Sequence, residues 1–154
     1  MGIDNIGNGA GGYFVIIINQ NERVGKFVAD LIGNSSWYEY QAIGQEISGE
    51  LVAGVVIDSY VKNARCSIHC AGIGKKWLNR EFLFFVFDYV FKKLNCKVVV
   101  NPVNSNNRDS VRFTSHLGFR EVARIEGGYE DGDLIIFALP RNECKWIEVN
   151  HGKK

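Results

Sequence analysis

The fold is decided by the stretch that opens His69-Cys70-Ala71-Gly72-Ile73-Gly74-Lys75-Lys76-Trp77 and closes on Leu117-Gly118-Phe119. Between these ends lie the apolar segment Phe82-Leu83-Phe84-Phe85-Val86-Phe87, the run Val98-Val99-Val100, and Asn107-Arg108-Asp109-Ser110. The order reads as strand end, glycine-rich turn, helix, buried strand, Asn-rich turn and second helix. A glycine turn that opens a helix is a ready anion site, because free N–H groups and the positive helix end converge there. Lys75 and Lys76 add two cations to it.

Working outward, Ala64 to Cys70 is the strand that leads in. Its alternation sets Ser67 and His69 on one face and Cys66, Ile68 and Cys70 on the other. The next helix, from about Lys75 to Leu94, is apolar nearly all round its middle, Phe82 to Phe87, and so is covered on several sides. Upstream, the β-branched run Tyr13 to Ile18 reads as a buried strand. Asn21 then caps a short helix with Val24, Phe27, Val28 and Leu31 at helical spacing; Gly33 stops it and Gly25 weakens it. Trp37 to Ile47 and Glu50 to Tyr60 are extended and joined through Ser48-Gly49, a hairpin turn. Downstream, Arg120 to Glu126 and Asp133 to Leu139 form a hairpin around Gly132, and Trp146 and Ile147 pack back on the sheet. The order β-α-β-β-β-α-β-α-β-β predicts an α+β (mixed α/β) fold and not a doubly wound sheet. One domain spans 13–147, between a flexible Gly- and Asn-rich arm at 1–12 and a tail at 148–154.

A chain of 154 residues fits that single domain. The net charge of +1 gives no electrostatic footprint for nucleic acid. The run Phe82 to Phe87 is far short of the ~20 apolar residues that span a bilayer, and no signal peptide opens the sequence. The expectation is a cytoplasmic protein with no membrane partner. Four cysteines show no C-x-x-C spacing, and no His pair completes a zinc set, so they read as free thiols and no metal is expected.

The two segments that bound the decisive stretch resemble the acyl-CoA site of GCN5-related N-acetyltransferases, the GNAT superfamily, and the resemblance covers roughly Tyr13 to Leu139. In that family a Gln/Arg-x-x-Gly-x-Gly/Ala turn follows the fourth strand. Here the register is His69-Cys70-Ala71-Gly72-Ile73-Gly74, with His69 where Gln or Arg is usual. The family's Asn-x-x-Ser/Ala motif and its closing Gly-Phe are matched by Asn107, Ser110, Gly118 and Phe119. Within the superfamily, Trp77-Leu78-Asn79-Arg80-Glu81-Phe82, Phe87-Asp88-Tyr89-Val90-Phe91, Asp131-Gly132-Asp133 and Glu143-Cys144-Lys145-Trp146 resemble the ribosomal-protein N-terminal acetyltransferases and, more closely, small phage-encoded members. The cytoplasm would then be that of a host.

The resemblance implies a mostly antiparallel sheet of six to seven strands, splayed between strands four and five and flanked by helices, with acetyl-CoA in the splay. Backbone groups of Ile68, Cys70 and Ala71 would polarise the thioester. Gly72, Gly74, Lys75, Lys76 and Trp77 would cradle the pyrophosphate, and Asn107 and Ser110 would touch the pantetheine and adenosine side. The same residues also read as an ordinary helix start and an ordinary cap. His69 is the first candidate for the general base, since histidine is the usual side chain of charge change near neutral pH. Glu46 on the hairpin, acting through a water, is the second, and Asp58 the third. The Tyr that many members carry as general acid falls at Thr114. The implied activity is acetyl transfer to a primary amine by direct attack. A protein or peptide N-terminus or a lysine is favoured over a small amine, because a short first helix leaves an open cleft; a homodimer is a further expectation. The alternative is a non-catalytic GNAT-like protein that binds CoA or a host protein.

Overall fold

The centre of the sheet follows from alternation. Strand β4 (Glu50–Val61) sends Ala53, Val55 and Ile57 into one buried cluster and Val56 into another on the opposite face. Its neighbour β3 (Gln41–Ile47) does the same with Ile43 and Ala42. The two are joined by Ser48 and Gly49 at φ 53 and 82, the paired left-handed conformations of a tight hairpin turn.

In this computed structural model residues 3–9, 12–34, 36–75 and 77–147 are described, with 3–9, 12 and 13 as backbone. The other strands are β1 (Ile3–Gly9), β2 (Gly12–Ile17), β5 (Arg65–Gly72), β6 (Val98–Asn104), β7 (Arg120–Tyr129) and β8 (Gly132–Pro140). The helices are α1 (Asn21–Ile32), α2 (Arg80–Asp88), which runs on into a π-helical turn at Tyr89–Lys93, and α3 (Arg108–His116). Among the described residues the eight strands form one sheet in the order β1-β2-β3-β4-β5-β6-β8-β7. Among these strands β5 and β6 pair in parallel, at Arg65 with Val98 and Cys66 with Val99, and the other neighbours pair antiparallel. Beyond those two pairs the strands splay, as expected between strands four and five of the seven read from sequence.

Helix α1 covers one face through Val24 and Val28, against Ile17, Ala42, Val56 and Ala71. Helix α2 covers the other with Phe82, Leu83, Val86 and Phe87, continued by Val90 and Phe91 in the π-helical turn. Burying each such ring contributes about 1.5–3 kcal/mol. The closing Leu117 and Phe119 join this second layer, and Trp146 Nε1 donates to the Leu117 carbonyl at 2.7 Å while Ile147 enters the core. Among the described residues no helix is long and apolar enough to cross a membrane.

Four local readings change. Where the sequence predicts an arm over 1–12, residues 3–9 form β1 on the free edge of β2. A ladder is made of backbone groups, so Gly- and Asn-rich chain can join one without apolar alternation. Trp37 to Tyr40 is not strand but the loop that leads into β3. Asn21 does not cap α1; its side chain bonds the Tyr40 carbonyl and the Ala42 N–H, tying the helix start to that loop. Gly25 is demanded by packing, since a Cβ there would lie 2.7 Å from the Tyr40 ring. Finally, the second helix starts at Arg80 and not near Lys75. Gly74 stands at φ 74, which turns the chain away from a helical path, and Asn79 then caps α2 by accepting the Phe82 N–H at 2.8 Å.

Candidate active site

The splay makes the site. Past the last β5–β6 pair, the Ile68 N–H donates to Asn101 Oδ1 at 3.0 Å and Asn101 Nδ2 donates to the Ile68 carbonyl at 3.0 Å. One side-chain amide thus stands in for a rung of the ladder, at the distance where backbone can no longer reach backbone. Ser67 Oγ closes the same junction by donating to the Val100 carbonyl at 2.6 Å. Backbone groups alternate sides along a strand, so the next residue to aim its N–H and C=O at the gap is Cys70.

The gap opens into a cleft of about 460 Å³. Ile68, His69 and Cys70 of β5 form one wall and Asn101 to Val103 of β6 the other. Asn107 at the cap of α3 and Ser110, Phe113 and Thr114 within it close one side, and Leu31 and Ile32 at the end of α1 lie across it. Asn107 accepts the Ser110 N–H at 3.1 Å, so the expected cap is real and both residues also face the cleft. Burial holds the Cys70 thiol protonated, with its pKa pushed up to about 12. Burial likewise raises Cys66, which contacts Cys96 at the closed end of the splay. All four cysteines are free thiols, and no group of three or more metal-ligating side chains occurs among the described residues.

His69 stands in the wall between this cleft and a second cavity of about 540 Å³ bounded by Trp37, Tyr38, Glu39, Asp58 and Tyr60. Its Nε2 meets Asp58 Oδ1 at 2.9 Å. The Trp37 ring lies 4.9 Å from the imidazole, centroid to centroid, and is itself fixed by a 2.9 Å bond from Nε1 to the Gly25 carbonyl. A carboxylate accepts only, so Nε2 is the donor of this pair, and in the neutral imidazole that places the lone pair on Nδ1.

The other expected site residues divide. Ala71 is buried against α1. Gly72 lies under Trp77: a Cβ at Gly72 would overlap the indole, which also contacts Phe113 of α3 at 5.9 Å between ring centroids. Buried Gln45 holds this turn, donating to the Trp77 carbonyl at 3.0 Å and accepting from Asn79 at 2.7 Å. Gly74 fits close approach of a ligand, with bare backbone facing open space, and Lys75 beside it is exposed. Lys76 lies outside the described residues. The helix end expected against this turn is set back by Lys75 to Asn79, so its N–H groups do not join the glycines. Glu46 is not part of the cleft. It sits opposite Leu51, at the far end of β3 from Ala42, while His69 lies in the row of Val56 and Ala42. Four residues of strand separate the two rows, roughly 13 Å at the ordinary rise, and Arg23 ion-pairs Glu46 there.

Sequence reasoning did not single out Asn101, and it placed Asp58 last among the bases. The usable signal for Asp58 was its position across the β4–β5 ladder, two residues out of step with His69 and so on the same face. For Asn101 it was a lone amide inside a Val-rich strand.

The splayed sheet, the glycine turn after its inner strand and the capped helix across the gap are the arrangement that the sequence resemblance implies. The family model for the acetyltransferase (GNAT) domain matches residues 14–136. The chain belongs to the GNAT acetyltransferases: it is an acyl-CoA N-acyltransferase that uses acetyl-CoA and acetylates an amine. Solved structures agree in fold. A mutant form of the spermidine/spermine N-acetyltransferase SpeG from Vibrio cholerae is similar at TM-score 0.65 and 15% identity, covering 84% of this chain and 95% of that one. A second similar structure, a chimera of that enzyme with hSSAT, gives 0.64 and 14%, covering 84% and 96%. A putative acetyltransferase gives 0.64 and 14%, covering 88% and 87%. No curated protein sequence matches the chain.

Proposed function

We propose that the β5–β6 splay is the catalytic centre, with His69 as general base, Asp58 behind it and the acceptor amine entering from the second cavity. One observation carries this reading: His69 is the residue common to both cavities, with Asp58 on one nitrogen. Acetyl-CoA supplies the acetyl thioester, whose carbonyl carbon is taken by the amine nitrogen as the C–S bond breaks and CoA departs. His69 Nδ1 receives the proton that the amine gives up, and the Asp58 carboxylate steadies the imidazolium that results. The Cys70 N–H, aimed into the gap, is placed to bond the carbonyl oxygen as it gains charge. Ser110, Asn107 and the open backbone at Gly74, with Lys75, form the path for the rest of the donor. Thr114 lines the cleft at the place of the family's Tyr, and an aliphatic hydroxyl is too weak an acid to protonate the leaving sulfur, so CoA departs as the thiolate.

Amine transfer does not by itself select a substrate. The sequence favours a protein or peptide N-terminus or a lysine, and that preference, like the ribosomal-protein and phage-encoded branches, rests on sequence features alone. The SpeG relatives act on spermidine or spermine by their names, which keeps small polyamines in view.

The test is His69→Ala. Loss of the base lowers kcat by ~10²–10⁴-fold while acetyl-CoA affinity stays within twofold. Should CoA affinity fall instead with kcat at saturation unchanged, His69 belongs to the phosphate turn. Glu46→Gln is expected to leave both unchanged. A broad amine panel that stays silent while CoA binds returns the non-catalytic alternative.

A further inference from the structure

The cavity on the Asp58 side of His69 has a chemistry of its own. Its acids are Asp58, held by His69, and Glu39, which has no ion pair among the described residues. No lysine or arginine lines it among those residues. Its walls are aromatic: Trp37, Tyr38 and Tyr60, with Tyr60 OH donating to the Leu94 carbonyl at 2.9 Å so that the ring is fixed. Aromatic faces and carboxylates together attract cations, and fixed ones do so without ordering cost.

The backbone here is also unusual. Glu39 and Ser59 both line the cavity and both stand at positive φ, 42 and 52. Neither is glycine, and such conformations cost of order 1–3 kcal/mol each and gather at ligand sites. The β4–β5 ladder slips between Asp58 and Val61, a bulge that places Asp58, Ser59 and Tyr60 around one space. Glu39 enters from the α1–β3 loop on the other side.

We infer that this cavity seats an acceptor with two cationic groups, an aliphatic diamine or longer polyamine. One amine lies at His69, and the second is held by Glu39 among the Tyr38 and Tyr60 rings. The inference rests on the acetyltransferase reading for the role of the first amine; the second amine's site stands on the cavity itself. A peptide N-terminus offers no second cation at that place and leaves Glu39 unused.

The experiment is calorimetric titration of 1,4-diaminobutane and of butylamine into the full chain with saturating CoA. The diamine binds at least about tenfold more tightly, the sum of one ion pair and one cation–π contact. Glu39→Gln reduces that advantage to about threefold or less, as expected for loss of a partly exposed ion pair, with CoA affinity and far-UV circular dichroism unchanged. Equal affinities for the two amines overturn the inference, as does no binding of either, tighter binding of an uncharged-side-chain tripeptide, or an unchanged advantage in Glu39→Gln. Binding is read without turnover, so a protein that discriminates the amines but acetylates neither contradicts the base assignment and leaves this site standing. Acetylation of both amines with equal kcat/KM does the reverse.

Discussion

Asp58 and His69 come from neighbouring strands and meet at 2.9 Å, the carboxylate 19% and the imidazole 30% exposed. That geometry separates positioning from proton transfer. Asp58→Asn keeps the size and removes the charge. It lowers kcat by about 10- to 100-fold, less than the ~10²–10⁴ lost with the base itself, and Asp58→Glu recovers part of the loss; steady-state kinetics at saturating acetyl-CoA checks both. An Asp58→Asn enzyme of undiminished kcat makes the pair purely structural. Cys70 yields a pH prediction with a definite sign. Its pKa, raised by burial to about 12, keeps the neutral form in excess at every ordinary pH, and the thiolate is the species that alkylates. Iodoacetamide at pH 8 therefore leaves Cys70 intact in the native protein and modifies it rapidly in urea, with the native rate climbing about tenfold per pH unit up to roughly pH 12. Peptide mapping that finds Cys70 labelled at pH 8 within minutes contradicts the raised pKa.

The elements show how much of the site could be read from the chain. Strand β5 was legible because Cys66 to Cys70 alternates cleanly, and α3 because Asn107 is a strong cap with Gly118 closing the helix. The turn between β5 and α2 was half legible. Its glycines were visible, but what occupies the space over Gly72 depends on Trp77 folding back, and that depends on Gln45, a buried amide contributed from β3. No local pattern records such a long-range bond. The same is true of Asn101, whose amide matters only once β6 lies beside β5 at a distance too great for a ladder. Gly72→Ala tests the turn. The added methyl collides with the indole and destabilises the fold by about 1–3 kcal/mol. Trp77→Leu in the same chain relieves most of that cost, so the two changes are non-additive in chemical denaturation. Additive losses show that Trp77 does not lie on Gly72.

At the scale of the molecule, α1 lies on one face of the sheet and α2 with α3 on the other, and the splay is where both layers reach the same gap. Leu31 and Ile32 come to the cleft from the α1 side, and Phe113 and Thr114 from the α3 side. The site is therefore a property of the whole fold, and ligand binding there is linked to global stability. The measurement that tests this most directly pairs thermal unfolding with acetyl-transfer assays on wild type and His69→Ala. In the predicted result, acetyl-CoA at a hundredfold excess over its Kd stabilises both proteins by about 2.7 kcal/mol, and only the wild type transfers acetyl groups to an amine at an appreciable rate. No stabilisation by millimolar acetyl-CoA, or equal transfer by His69→Ala, would contradict the account.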